Sequence, residues 1–263
     1  MILITGYKGF IGQHLTKRLK EGGWIGIERE DCFERLDMIS SNYIKEIWHL
    51  GAISDTTSTN INQLWKYNID FTLELFDRAI AYKIPVKFAS SASIFGLSKN
   101  RMINPLNYYA YTKAIVDKWI EDNIDRFANV QSYRLYNVYG EYEHDKYLRG
   151  QASPVYTFTQ QAKSEGLIKI FENSSDSYRD FVWVEDVLDC MMIDRPSGFY
   201  DVGTSQPISF LDVAEMIANK YDASIKEIPF PERLIGKYQF NTRATRHFYE
   251  KQFTTVEEYL ARL

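Results

Sequence analysis

The chain has 263 residues, 45% apolar and 25% charged, with a formal net charge of −4. This suits one large domain or two small ones with ample core material, and gives no electrostatic reason to expect nucleic acid or an acidic membrane surface as partner. No apolar run reaches membrane-spanning length, the chain opens on a strand rather than a signal peptide, and Cys32 and Cys190 stand at no metal-ligand spacing. Two buried thiols in a reducing, cytoplasmic setting are therefore expected, with no metal site.

Residues 2–4 form a short apolar strand, followed by Thr5-Gly6-Tyr7-Lys8-Gly9-Phe10-Ile11-Gly12 and a helix with Leu15 and Leu19 on its inner face. Strand, glycine turn and helix are the context of a dinucleotide fingerprint. Gly6 permits the tight turn, Gly9 lets backbone approach a pyrophosphate, and Gly12 allows close helix–strand packing. The N–H groups at the helix start then receive the anion.

The next strand, 24–27, ends at Glu28, which can accept hydrogen bonds from an adenosine ribose and favours NAD. Arg29 beside it can pair with a 2′-phosphate and favours NADP, and both can equally be solvated loop charges. Residues 35–38 read as the end of a third strand, from which Asp37 reaches the adenine amino group. A strand over 44–50 follows, with Gly51, Ala52, Ser54, Thr56 and Thr57 at its end as small or hydroxylic neighbours of a sugar, or as turn and cap residues. The helix over 61–81 carries an apolar stripe in which Asn68 is the polar exception, either bracing the loop or cofactor or satisfied within the core.

Residues 88–113 join a buried strand ending in Ser90-Ser91 to a helix that opens near Tyr109 and carries Lys113 one turn on. Residues four apart share a helix face, so phenol and ammonium can point into one cleft, where the cation lowers the phenol pKa. With 19 tyrosines in the chain, about one Tyr-x-x-x-Lys pair arises by chance; two occur, Tyr109/Lys113 and Tyr142/Lys146. Only the first follows a strand end with hydroxyls and starts a patterned helix. There Ser91 can hold a substrate oxygen that exchanges a proton with Tyr109, acid–base chemistry of the kind a nicotinamide needs beside it.

A strand over 130–136 ends in Asn137-Val138-Tyr139-Gly140. Residues 141–150 are charged and read as a loop. Helix 155–165, strand 168–171, a strand-then-helix over 179–187, strand 199–202, helix 211–221, an irregular arm through Tyr238 and a helix from about Thr255 complete the chain. Alternation of strands and helices predicts an α/β, Rossmann-type doubly wound parallel sheet with a smaller, interleaved C-terminal lobe. The expected division is a dinucleotide-binding domain over 1–140, joined by about 179–205, and a substrate lobe over 141–263. Ligands of such sheets sit at the strands' carboxyl ends, where every motif above falls.

Together, Thr5-Gly-x-x-Gly-Phe-Ile-Gly12, Ser91, Tyr109-x-x-x-Lys113, Asn137-Val-Tyr-Gly140 and Arg179-Asp-Phe-Val-Trp-Val-x-Asp186 resemble the extended short-chain dehydrogenases/reductases that act on nucleotide sugars. Gly51-Ala-x-Ser-x-Thr-Thr57, Ala89-Ser-Ser-Ala92, Pro105-Leu-Asn-x-Tyr109 and the arm Pro229–Tyr238 are most similar to the ADP-glycero-manno-heptose 6-epimerases.

The resemblance implies a tightly held NADP or NAD, recycled within one turnover, a nucleotide-diphosphate sugar as substrate, and a homo-oligomer. It adds Phe10, Ile11, Leu50 and Val138 to the cofactor contacts and makes Lys146 a second base. Asn137, Phe171, Glu172, Asn173, Ser174, Arg179 and Tyr238 would join Ser91 in binding substrate. Arg179 could instead be an ion-pair partner of Asp180 or Asp186, and Lys146 a solvated lysine. Two departures stand out: Tyr147-Leu-Arg149 looks inserted after Lys146, and Thr157 stands where the heptose enzymes carry a substrate-binding His. Ala92 and Ser93, where the dehydratases carry Asp-Glu, argue against dehydration. A 4-epimerase or ketoreductase, and a non-enzymatic nucleotide-sensing protein, are the competing expectations.

Overall fold

The computed structural model describes residues 1–39, 43–237, 239 and 241–263. In chain order its first elements are β1 (Ile2–Thr5), α1 (Phe10–Arg18), β2 (Trp24–Ile27), β3 (Glu46–His49), α2 (Ile61–Trp65), α3 (Phe71–Ala81), β4 (Val86–Ser91), α4 (Tyr108–Asn123) and β5 (Val130–Leu135). There follow β6 (Asn137–Tyr139), α5 (His144–Leu148), α6 (Pro154–Glu165), β7 (Leu167–Phe171), β8 (Tyr178–Arg179), β9 (Phe181–Trp183), α7 (Val184–Met192), β10 (Gly198–Val202), β11 (Ile208–Ser209), α8 (Phe210–Tyr221), β12 (Ser224–Ile228) and α9 (Val256–Leu260). The chain divides into two compact units, residues 1–134 with 191–200, and 135–190 with 201–263.

The main sheet has the order β10-β5-β4-β3-β1-β2. β1 is paired in parallel with β2 and β3, and β3 with β4. Interior parallel strands are covered on both faces, so they read as continuous apolar runs. Accordingly Leu3, Ile47, Val86 and Phe88 are buried, and Leu75, Phe76, Val116 and Ile120 of α3 and α4 close the same core. Both cysteines are buried and free.

The strand expected at 35–38 is a 3₁₀ turn, Glu34–Met38, and β2 is therefore the sheet's edge. Only Leu36 of that run is buried, while Arg35 donates to the Gly26 carbonyl at 2.5 Å. A parallel crossover needs a dozen or more residues, and too few separate Glu28 from Asp37. The helix expected over 61–81 is broken by a π-helical turn, Lys66–Asp70, which buries Asn68. The wider turn admits one extra residue, and such turns recur at functional sites.

The second unit packs α6, α8 and α9 around the parallel pair β7/β12, with Tyr139, Ile168, Ile170, Phe210, Val213 and Ile217 at its centre. Its helices start on side-chain caps. Ser153 accepts the Tyr156 N–H ahead of Pro154, and Ser209/Asp212 and Thr255/Glu258 are reciprocal capping boxes. Residues 141–150 are not wholly a loop, because 144–148 form the single-turn helix α5. Its anchor is Glu143, a fully buried carboxylate just before it, which sequence periodicity does not reveal. Among the described residues no helix is long and apolar enough to cross a membrane, and no His/Cys/Asp/Glu group could hold a metal ion.

Candidate active site

The parallel pairing of β1, β3 and β4 brings their carboxyl ends to one edge of the sheet, so the glycine turn, Gly51 and Ser91 share that edge. Gly6 has φ +69, and a Cβ there would lie 2.6 Å from the Gly51 Cα. A Cβ on Gly12 would lie 2.2 Å from the Gly6 carbonyl oxygen. Two turns of backbone thus touch where no side chain fits. Gly9, the N-cap of α1, contributes no capping side chain, and the first turn of α1 has no acidic residue. A helix start of this kind favours an anion.

Glu28 follows β2 and accepts the Lys8 N–H at 2.7 Å; burial pushes its carboxyl pKa up, against the pull of that hydrogen bond. These residues fit a dinucleotide: a Cβ-free cradle, an uncapped helix start and a carboxylate held against the turn.

At the end of β4, Ser91 accepts the Ser93 N–H at 3.1 Å, and its hydroxyl is the polar group that pulls on the Tyr109 phenol. Tyr109 stands one residue inside α4, capped by the Asn107 side chain accepting the Ala110 N–H at 2.9 Å. Burial pushes the phenol up and the Ser91 hydroxyl pulls it down, with burial the larger. The expected lowering by Lys113 is corrected accordingly. The Lys113 ammonium donates to the Ala89 carbonyl at 2.7 Å and lies 4.5 Å from the Phe88 ring centroid. Burial drives its pKa down to about 7, against the pull of the Asp117 carboxylate. That buried carboxylate accepts from Ser132 at 2.7 Å and Arg134 at 2.8 Å.

Asn68 braces the strand-end loop. Its Oδ1 accepts the Ile53 N–H at 2.8 Å, and its amide donates to the Ile53 carbonyl at 3.0 Å and to Thr112 at 3.1 Å. Thr112 in turn donates to the Tyr109 carbonyl at 2.8 Å. Both amide protons of Asn68 are thus committed to protein. Leu50, Gly51 and Ala52 are half-buried, and Ser54 is exposed. Thr57 bonds to Asp55 in a local turn. Arg29 is exposed, 5.8 Å from the Tyr67 ring. Asp37 is 85% exposed and pairs with Arg78 at 2.8 Å, its carboxylate held by helix α3. Thr112 is a residue sequence reading missed, because its link to Asn68 joins positions 44 apart in the chain.

In the second unit, Asn137 and Val138 are half-buried on β6, which pairs in parallel with β9. Lys146 lies on α5, 27% exposed, 3.7 Å from Glu143. Glu143 accepts from the Ser153 N–H at 2.7 Å and hydroxyl at 2.6 Å, and burial raises its pKa. Tyr142 is exposed. Arg179 is buried on β8, its guanidinium 5.9 Å from the Phe210 ring. Asp180 takes the N–H groups of Thr204, Ser205 and Ala244, and Asp186 pairs with Lys251 at 2.7 Å. Phe171 packs on Phe230, Ser174 is buried and donates to the Phe171 carbonyl, and Glu172 and Asn173 are exposed. Tyr238 lies outside the described residues.

A doubly wound sheet with a glycine cradle after β1, and a serine hydroxyl acting on a buried tyrosine at the end of β4, is the arrangement of a nicotinamide-dependent enzyme of the short-chain dehydrogenase/reductase kind. Residues 2–194 match the NAD dependent epimerase/dehydratase family. The chain is 30% identical to an ADP-L-glycero-D-manno-heptose-6-epimerase of Brachyspira hyodysenteriae, over 93% of this chain and 89% of that one. It superposes on the ADP-L-glycero-D-manno-heptose-6-epimerase of Helicobacter pylori with TM-score 0.77 at 22% identity, covering 99% and 94% of the two chains. The Thermotoga maritima UDP-glucose 4-epimerase, solved with UDP-glucose, gives TM-score 0.82 at 21% identity over 98% and 96%. The chain belongs to the NAD-dependent epimerase/dehydratase family, among its nucleotide-sugar epimerases.

Proposed function

We propose that the chain inverts one carbinol carbon of a nucleotide-diphosphate sugar of the ADP-glycero-manno-heptose kind, by transient oxidation and return of the same hydrogen. The observation that carries this reading is the buried Tyr109 phenol, pulled on by the Ser91 hydroxyl at the carboxyl end of β4, beside the glycine turn's edge of the sheet. NAD, when bound, supplies the reversible two-electron acceptor. Gly6, Gly9, Phe10, Ile11 and Gly12 hold its pyrophosphate, Glu28 its ribose, and Leu50–Ala52 let it lie across the strand end.

Tyr109 exchanges the hydroxyl proton of the sugar in the half-reaction at one face of the carbon, taking it when the carbonyl forms there and giving it when the carbonyl is reduced there, with Ser91 holding that oxygen. Burial keeps the phenol protonated in the free enzyme, which suits giving a proton and opposes taking one. Inversion presents the carbonyl by its other face, so a second proton carrier is required. Lys146 is that group, supported by its place on α5 beside the buried Glu143. Asn137, Arg179 and residues 171–174 bind the nucleotide portion. The Thr157 side chain, in place of the His of the heptose enzymes, favours a second reading, a nucleotide-sugar 4-epimerase. We also propose a homodimer, supported by the exposed stripe Ile61, Trp65, Tyr108, Tyr111 and Ile115 on α2 and α4.

The test is incubation with ADP-, GDP-, UDP- and dTDP-sugars without added reductant, with inversion scored by NMR. Turnover of the ADP-heptose, lowered roughly 10²–10⁴-fold by Tyr109→Phe, is the expected result. Inversion of a UDP-hexose alone selects the second reading. An unchanged rate in Tyr109→Phe contradicts both.

A further inference from the structure

The chemistry proposed above gives no role to His49, a fully buried imidazole at the end of β3. It stacks on Phe88 at 5.4 Å, with Phe71 and Phe76 edge-on at 5.8 and 6.0 Å. Its Nδ1 lies 2.6 Å from the Thr5 hydroxyl and its Nε2 2.8 Å from the Thr72 hydroxyl. Thr72 also bonds to the Asn68 carbonyl at 2.9 Å, and the Gly51 N–H donates to Thr5 at 3.0 Å.

These contacts fix every proton by elimination. The Asn68 carbonyl only accepts, so Thr72 donates to it, and the Thr72 oxygen must then accept from His49. Nε2 therefore carries the ring proton, and Nδ1 accepts from Thr5, whose oxygen takes the Gly51 N–H. The chain of bonds runs one way, from the backbone of the strand-end loop at Gly51 to the backbone of the π turn at Asn68. The Asn68 side chain continues it to Ile53 and, through Thr112, to the Tyr109 carbonyl.

We propose that Thr5, His49 and Thr72 form a directional hydrogen-bond relay that positions Asn68, and through Thr112 the first turn of α4 with Tyr109, for catalysis. The relay rests on the epimerase reading for its purpose, not for its geometry. His49 and Thr72 are positioning residues, since neither is placed against a reacting atom. A core filled with apolar side chains would hold these strands without any need for direction, because replacing both partners of a buried hydrogen bond is nearly neutral. What the relay adds is orientation, and it ends on two segments of the site. Burial, with the Lys113 ammonium as the charged group facing the ring, holds the imidazole pKa down to about 3. A charged ring would turn Thr5 from donor to acceptor and leave its hydroxyl proton without a partner in the relay.

The experiment uses the full chain with its bound NAD. Thr72→Val is isosteric and leaves Nε2–H without an acceptor. The expected result is a kcat lower by about tenfold or more, KM within about twofold, and NAD content unchanged. Thr72→Ser restores the acceptor and keeps kcat within about twofold. Thr159→Val, which removes another buried hydroxyl bonded to a carbonyl one turn back, leaves kcat unchanged. In ¹⁵N-histidine NMR spectra of the wild type, where His49 is one of four histidines, the Nε2–H neutral form persists from about pH 8 to about pH 5.

Wild-type kcat in Thr72→Val, or equal losses in the Val and Ser variants, overturns the proposal. So does an Nδ1–H tautomer or an imidazolium at pH 5, a result that stands even if Thr72→Val does not fold. If the wild type inverts no nucleotide sugar, the epimerase reading fails while the spectra still decide the relay.

Discussion

Lys113 is a buried charge that the fold holds at a cost to its own stability, as expected of a group kept for the proposed reaction. Its ammonium is buried against the Ala89 carbonyl and the Phe88 ring, and its pKa falls from 10.5 to about 7. The unfolded chain, with the ordinary lysine value, binds the proton more readily between those limits. Stability therefore rises with pH through the window, and the penalty is complete below about pH 7. At 1.36 kcal/mol per pH unit it is on the order of 5 kcal/mol at most. Lys113→Met should be inactive yet gain melting temperature over wild type, most below pH 7 and less as pH rises toward 10. A gain independent of pH would contradict the assignment.

Lys146 is tested by Lys146→Ala, which should lose inversion while keeping its NAD. Inversion at the wild-type rate there would dismiss the second proton carrier.

Ser91, Tyr109 and Lys113 were legible because strand end, helix start and four-residue spacing are local. Their electrostatics were not legible, because the phenol's environment depends on what packs over it. Asp37 misled for a related reason: Arg35-Leu36-Asp37-Met38 alternates like a strand, but the partner that holds its carboxylate, Arg78, lies far along the chain.

Among the elements, the turn between β1 and α1 is the most constrained by sequence. Gly12→Ala would drive a methyl into the Gly6 carbonyl, 2.2 Å from the ideal Cβ, with backbone on both sides and no flexible side chain to yield. The expected outcome is loss of bound NAD, measured by extraction and absorbance, with a lower melting temperature. Full NAD occupancy in that variant would contradict the cradle.

The turn could be read from sequence because glycine spacing reports a backbone requirement. The π turn within the second helical stretch could not, since its signature is one buried Asn in an otherwise regular stripe. Its tertiary bonds to Ile53 and Thr112 are what select the wider turn. α5 escaped notice because a single polar turn anchored by the buried Glu143 has no periodicity to detect.

At the scale of the whole molecule, alternation of strands and helices was enough to predict the parallel sheet, while the family-level function came from the resemblance carried by the motifs at the strand ends. It overestimated the number of strands only where the crossover after β2 is too short. The grouping of residues 135–190 with 201–263 rests on long-range packing that no local pattern encodes. The exposed stripe on α2 and α4 predicts a dimer. Light scattering should give twice the 30.8 kDa chain mass, and Tyr111→Glu should halve it. A monomeric wild type would contradict the dimer.

In the proposed mechanism one hydrogen leaves the sugar carbon and returns to it, while Tyr109 handles only the hydroxyl proton. Inversion run in D₂O measures this directly. The account predicts a product whose inverted carbon keeps its original hydrogen, seen as an undiminished proton signal and unchanged mass. Deuterium at that carbon would mean proton abstraction from carbon, and would contradict transient oxidation.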